Sequence, residues 1–132
     1  MAEAALTVAD LLATKDGKIF AVKASAPLRE AAAMLYRNRI GMLIVVGDDN
    51  GFRGVISERD IIKLFAEKGA DAAPLTVSDA TTQTVRACDP TRTLESVLES
   101  MKNGHFRHMP VIEDGRIRGV VSATDILAFL AR

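Results

Sequence analysis

"GVISERDIIKLF" occupies residues 54–65 and "GVVSATDILAFL" occupies residues 119–130, a spacing of 65 (119 − 54). Gly54 returns as Gly119, Ser57 as Ser122 and Asp60 as Asp125, and the apolar positions keep their places. A phrase that repeats its polar residues along with its apolar ones marks an internal duplication, and each copy is then one supersecondary unit. The match extends upstream at a shift one residue longer. Leu28, Ala31, Ala32 and Leu35 correspond to Leu94, Val97, Leu98 and Met101. Both sets follow the spacing i, i+3, i+4, i+7, which lies on one face of a helix. Pro27 and Thr93 stand before them as helix openers. Val45 and Val46 then match Val111 and Ile112. The stretch "GDDNGFRG" at 47–54 is one residue longer than "EDGRIRG" at 113–119. Asn50-Gly51 and Asp114-Gly115 are hairpin signals, and a turn absorbs such a difference without disturbing its strands.

Farther upstream, "TVADLLA" from Thr7 resembles "TVSDATT" from Thr76. A short β-like segment follows each, at Ile19 to Lys23 and at Thr84 to Cys88. Each half therefore reads strand, helix, strand, hairpin turn, strand, helix, which is an α/β pattern. The repeats are expected at residues 7–67 and 76–131, with a linker at 68–75 inside the small-residue stretch "EKGADAAPL". A half of about 60 residues buries too little surface to be comfortable alone. The run "MLIVV", Met42 to Val46, has no polar alternation, so both of its faces want cover. Two halves packed sheet to sheet would supply it. Such packing is expected to leave clefts along a pseudo-twofold axis, where equivalent residues face each other.

Composition excludes several classes. The chain has 132 residues, 48% of them hydrophobic, which suits one globular unit or two small ones sharing a core. Seventeen basic residues balance 17 acidic ones, and no basic stripe stands out, which argues against nucleic acid as a partner. "MLIVV" is far too short to span a bilayer, so no membrane partner is expected. The opening "MAEAALTVADLLA" carries Glu3 and Asp10 without a basic start, unlike a signal peptide. Cys88 is the single cysteine, which rules out an internal disulfide and fits a reducing cytoplasm.

The repeated polar residues admit two compatible readings. Ser57-Glu-Arg-Asp60 and Ser122-Ala-Thr-Asp125 each follow a strand and open a helix. One reading is a capping box, with Ser at the N-cap and the acid three residues later reaching back. The other is a ligand site. A helix start offers N–H groups and partial positive charge to a phosphate. An Asp beside it has two acceptor oxygens for the two hydroxyls of a ribose. Gly54 or Gly119 would let a ligand approach the backbone. "HFRHMPV" at 105–111 adds Arg107 and His108, a guanidinium and an imidazole suited to phosphate. A zinc site from His105 and His108 is a weak idea, because a metal needs about four ligands and Cys88 lies in the preceding strand. Nothing supplies a nucleophile, base and orienting partner, so no enzyme is expected. A Cys88 enzyme using His105 or His108 is disfavoured, since a thiol in an apolar β-like segment is usually inert.

The twofold repeat, "GVISERD", "GVVSATD" and "RHMPV" together resemble a tandem pair of CBS domains, a Bateman module of the stand-alone bacterial kind. The resemblance runs from about Thr7 to Leu130. It implies two intertwined β-α-β-β-α repeats with pseudo-twofold symmetry and a regulatory ligand with an adenosine group: AMP, ADP, ATP, NAD(H) or S-adenosylmethionine. No cofactor is required. The family's Ser-x-x-Asp grips ribose and phosphate, which maps onto Ser57, Arg59 and Asp60, and onto Ser122, Thr124 and Asp125. The paired basic residues of nucleotide-sensing relatives map onto Arg107 and His108, in reversed order. The first repeat has Gly41 and Met42 there, which makes it the weaker phosphate site. The family commonly forms a disc-like homodimer, and an unidentified protein target would receive the signal. The alternative is a structural or interaction module with no physiological nucleotide.

Overall fold

The computed structural model describes residues 5–15, 18–82 and 86–132. Its elements run in the order α1 (Val8–Leu12), β1 (Ala21–Lys23), α2 (Leu28–Asn38), β2 (Met42–Val46), β3 (Phe52–Ser57) and α3 (Glu58–Lys68). A 3₁₀ turn at Gly69–Ala72 follows, then α4 (Val77–Ala80), α5 (Leu94–Gly104), β4 (His108–Glu113), β5 (Arg116–Ser122) and α6 (Ala123–Leu130). The fold is α/β, with the strand–helix–strand unit present twice.

Two compact units form, and they cut across the sequence repeats. One runs from Phe20 through Thr82. The other joins the described residues up to Ile19 with Arg86–Arg132. The helix-opening segments have exchanged places. Thr7 bridges Thr93, with Val8 N–H donating to the Arg92 carbonyl at 2.9 Å and Leu94 N–H donating to the Leu6 carbonyl at 3.0 Å. Pro27 bridges Thr76 in the same manner, with Val77 N–H on the Ala26 carbonyl at 2.9 Å and Leu28 N–H on the Leu75 carbonyl at 3.0 Å. The apolar partners follow. Val8 is buried beside Leu94, Val97, Met109 and Ile126, while Val77 is buried beside Leu28, Ala31, Leu43 and Ile56. The repeats expected at 7–67 and 76–131 and the packing units are thus different partitions of one chain.

In the first unit β1 pairs parallel with β2, and β2 pairs antiparallel with β3. The second unit has the antiparallel pair β4–β5, and its counterpart of β1 differs. Of the segment expected at Thr84 to Cys88, Thr84 and Val85 lie outside the described residues. Among the described residues of that segment, Cys88 alone makes a parallel bridge, to Val111. Asp89 ends the pairing by turning the chain, its Oδ1 accepting the Thr91 N–H at 2.7 Å, and Pro90 has no N–H to continue a ladder. The hairpin turns separate as expected. Asp114 and Gly115 both have positive φ, 52° and 75°, the two-residue type I′ geometry. The longer first turn uses only Asn50 in that region, at φ 63°. Both hairpins carry a bulge at the repeated glycine: Val45 pairs with Gly54 but Val46 with Phe52, and Val111 pairs with Gly119 but Ile112 with Ile117. No helix among the described residues is long and apolar enough to cross a membrane.

Candidate functional site

Ser57 is the last residue of β3 and the N-cap of α3, with extended backbone at φ −111° and ψ 164°. Its Oγ accepts the Asp60 N–H at 3.1 Å, and Asp60 Oδ2 accepts the Ser57 N–H at 2.8 Å. Ser122 repeats this for α6, with the Asp125 N–H on Ser122 Oγ at 3.0 Å and the Ser122 N–H on Asp125 Oδ2 at 3.2 Å. Both copies are therefore reciprocal capping boxes. The same box opens α1 and α4: Asp10 Oδ2 accepts from Thr7 N–H, and Asp79 Oδ2 from Thr76 N–H, each at 2.8 Å. Four helices thus share one cap, and the motif by itself does not single out a ligand site.

Surroundings do distinguish two of the four. Asp10 and Asp79 are exposed, whereas Asp60 and Asp125 are half-buried and each meets a further donor. Thr82 Oγ1 donates to Asp60 Oδ1 at 3.3 Å. Lys15 Nζ donates to Asp125 Oδ2 and to the Val120 carbonyl, at 3.0 Å each. Burial pushes the Asp125 carboxyl up, but the hydrogen bond and charge of Lys15 and the hydrogen bonds from Ser122 outweigh it and hold the group below its ordinary value. Sequence reasoning missed Lys15 and Thr82. Both sit in the exchanged segments, and no local pattern couples them to these carboxylates.

The strand register brings the other expected residues to the same two helix starts. Met42 lies directly across from Ser57, and His108 across from Ser122. The carbonyl of Gly41 accepts the first N–H of α3, from Glu58, at 3.1 Å. That of Arg107 accepts the first N–H of α6, from Ala123, at 2.9 Å. These backbone positions complete the cap. The first and third amides of each helix are committed, and the second belongs to Arg59 or Thr124, both exposed. Arg107 is exposed and His108 half-buried. The first unit thus gathers Gly41, Met42, Ser57, Arg59 and Asp60. The second gathers Arg107, His108, Ser122, Thr124 and Asp125.

Gly54 and Gly119 do not keep the backbone open for a ligand. A Cβ on Gly54 would lie 2.4 Å from the Thr82 carbonyl oxygen, and one on Gly119 would lie 3.0 Å from Leu12 Cδ2. The chain's own exchanged segments occupy that space. His105 is the C-cap of α5, with φ 57° and its N–H on the Met101 carbonyl. Cys88 is buried, which raises its thiol above the ordinary value. Among the described residues, no group of three or more His, Cys, Asp and Glu is placed to hold a metal.

Comparison with known proteins gives a consistent picture. The CBS domain is matched twice, at residues 8–67 and 77–132. A CBS-domain containing protein from Agrobacterium tumefaciens, ATU1752, has a crystal structure that superposes with a TM-score of 0.90 at 34% identity, covering 97% of this chain and 96% of that one. The AMP complex of CBSX2 superposes with a TM-score of 0.80 at 23% identity, covering 96% of each chain. A 17.7 kDa protein of Acidianus ambivalens is 31% identical over 110 residues, which cover 83% of this chain but 65% of that one. The chain thus spans just under two thirds of that relative's length.

Proposed function

The chain belongs to the CBS-domain family, as a tandem pair of its repeats, and on that premise we propose that it is a non-catalytic regulatory module that binds an adenine nucleotide at its α3 and α6 helix starts. Asp60 and Asp125 hold the ribose hydroxyls. Ser57 with Arg59, and Ser122 with Thr124, take the neighbouring ribose and phosphate oxygens. Arg107 and His108 bind phosphate at the second start, where Gly41 and Met42 leave the first poorer. The observation that carries this reading is the contrast among the four capping boxes: among the described residues, only the Asp residues of α3 and α6 are half-buried and reach a donor outside their own cap. A cap needs no such donor. The AMP bound by a protein of the same fold supports the choice of ligand class.

The four boxes also supply the test. Asp→Asn keeps the side chain's size and one acceptor oxygen, so at any of the four positions the loss of capping should stay under about 1 kcal/mol. Asp60→Asn and Asp125→Asn should in addition weaken AMP or ATP binding. Losing one charged partner of a hydrogen bond costs about 1.5 to 3 kcal/mol, or roughly ten- to a hundredfold in affinity. Asp125→Asn is expected to have the larger effect. Asp10→Asn and Asp79→Asn should leave affinity unchanged. Calorimetry on the four variants checks this, using whichever of AMP, ADP, ATP, NADH and S-adenosylmethionine raises the melting temperature most. Equal affinity in all four would reduce the repeated phrase to helix caps.

We also propose a homodimer. Of the apolar residues on α3 and α6, Leu64, Ile126 and Phe129 are buried, but Ile62 and Phe65 remain 67% and 44% exposed. Their counterparts Leu127 and Leu130 are 55% and 44% exposed. An apolar pair left in water at the same place in both repeats is a self-complementary surface, suited to a second copy of the chain. Light scattering should give twice 14.2 kDa, and Ile62→Glu with Leu127→Glu should return the mass to 14.2 kDa. A wild-type mass of one chain at working concentration refutes the dimer.

A further inference from the structure

We infer that Lys15 decides whether the ligand held at Asp125 must carry a phosphate; the inference rests on the nucleotide reading of that helix start. Asp125 Oδ2 accepts from the Ser122 N–H and from Lys15 Nζ. An oxygen with two lone pairs is then fully used. A ribose that places its two hydroxyls on the two carboxylate oxygens must take Lys15 off Oδ2. The displaced ammonium loses its counter-charge while still beside the positive end of α6, whose first N–H is held by the Arg107 carbonyl. A phosphate on the ligand gives it a new anionic partner, and the flexible four-carbon stem lets the ammonium follow. A nucleoside without phosphate leaves it only the neutral Val120 carbonyl and water.

Among the described residues, the other helix start has no such device. Thr82 stands on Asp60 in place of Lys15, and a neutral hydroxyl loses little when a ribose displaces it. Lys15 reaches Asp125 only because α1 is packed into the second unit, so the discrimination is built by the exchange of segments rather than by the repeated motif itself.

AMP and adenosine are the probes, titrated calorimetrically into the full chain in an Asp60→Asn background, which subdues the first helix start. Lys15→Met should weaken AMP about ten- to a hundredfold while adenosine binds as before or more tightly. Lys15→Arg should retain the preference for AMP. Added salt should weaken AMP binding less in Lys15→Met than in the parent. Lys15 is about one third exposed, so the variants should fold, and unchanged melting temperatures check this. An unaltered ratio of AMP to adenosine affinity in Lys15→Met overturns the inference while leaving the nucleotide reading intact. A parent chain, with or without Asp60→Asn, that binds neither probe overturns both.

Discussion

Gly54→Ala is expected to destabilise the protein by about 2–4 kcal/mol, whereas Gly119→Ala, at the matching position of the second repeat, should cost under about 1 kcal/mol. Two causes add at Gly54. Its φ of 148° lies where a side chain is strained, and a Cβ there would meet the Thr82 carbonyl oxygen at 2.4 Å. That oxygen cannot retreat cheaply, because it accepts the Val55 N–H at 3.2 Å while the Thr82 N–H donates to the Val55 carbonyl at 2.9 Å. Gly119 has no positive φ, and its new methyl would meet only Leu12 Cδ2, the end of a side chain that can turn aside. Denaturant unfolding of both variants measures the difference, and the melting temperature of Gly54→Ala should fall by roughly 10 °C. Equal losses at the two glycines would show that the bulge alone requires glycine, and that the packed segment does not.

Truncating Leu28 or Leu94 to Ala should cost about 2–5 kcal/mol each, the range for an aliphatic side chain removed from a closed core. Both residues are 1% exposed, and both stand at the first position of a helix, α2 or α5. Each N–H holds an exchanged segment, through the carbonyl of Leu75 or Leu6. The cavity therefore opens beside Val77 or Val8 and loosens α4 or α1. In Leu94→Ala, hydrogen exchange of the Val8 N–H, which is bonded to the Arg92 carbonyl, should quicken more than that of the Val77 N–H in the other unit. Tyr36→Ala, at a position of α2 that is 86% exposed, is the control and should change stability by no more than about 0.5 kcal/mol. A loss below 1 kcal/mol in both leucine variants would contradict the closed cores described above.

What was legible in the sequence is what a few neighbouring residues settle among themselves. The period of Leu28, Ala31 and Leu35 places a helix face, and Asp114-Gly115 makes a two-residue turn because both backbones must adopt positive φ. Ser57 and Asp60, or Ser122 and Asp125, close a cap across three residues. Each of these is a local interaction that a duplicated phrase reproduces wherever it occurs, so the repeat alone determined the α/β family and put the candidate residues at two helix starts. The same locality explains why the phrase could not tell a cap from a ligand site: Asp10 and Asp79 accept the Thr7 and Thr76 N–H just as Asp60 and Asp125 accept the Ser57 and Ser122 N–H.

Tertiary structure decided the rest, because it turns on which distant segment fills each space. Lys15 lies 110 residues from Asp125 in the chain, and nothing in either stretch names the other. Thr82 and Leu12 come to Gly54 and Gly119 from the ends of "TVSDATT" and "TVADLLA", where those two copies differ, and so two glycines in the same phrase carry different constraints. The exchange of α1 and α4 follows from burial. Val8 and Val77 are each 0% exposed, and each helix is too short to shelter its own apolar side, so each must find a core. The core that receives it is fixed by the backbone bridges at Thr93 and Pro27, contacts that exist only once the chain has folded.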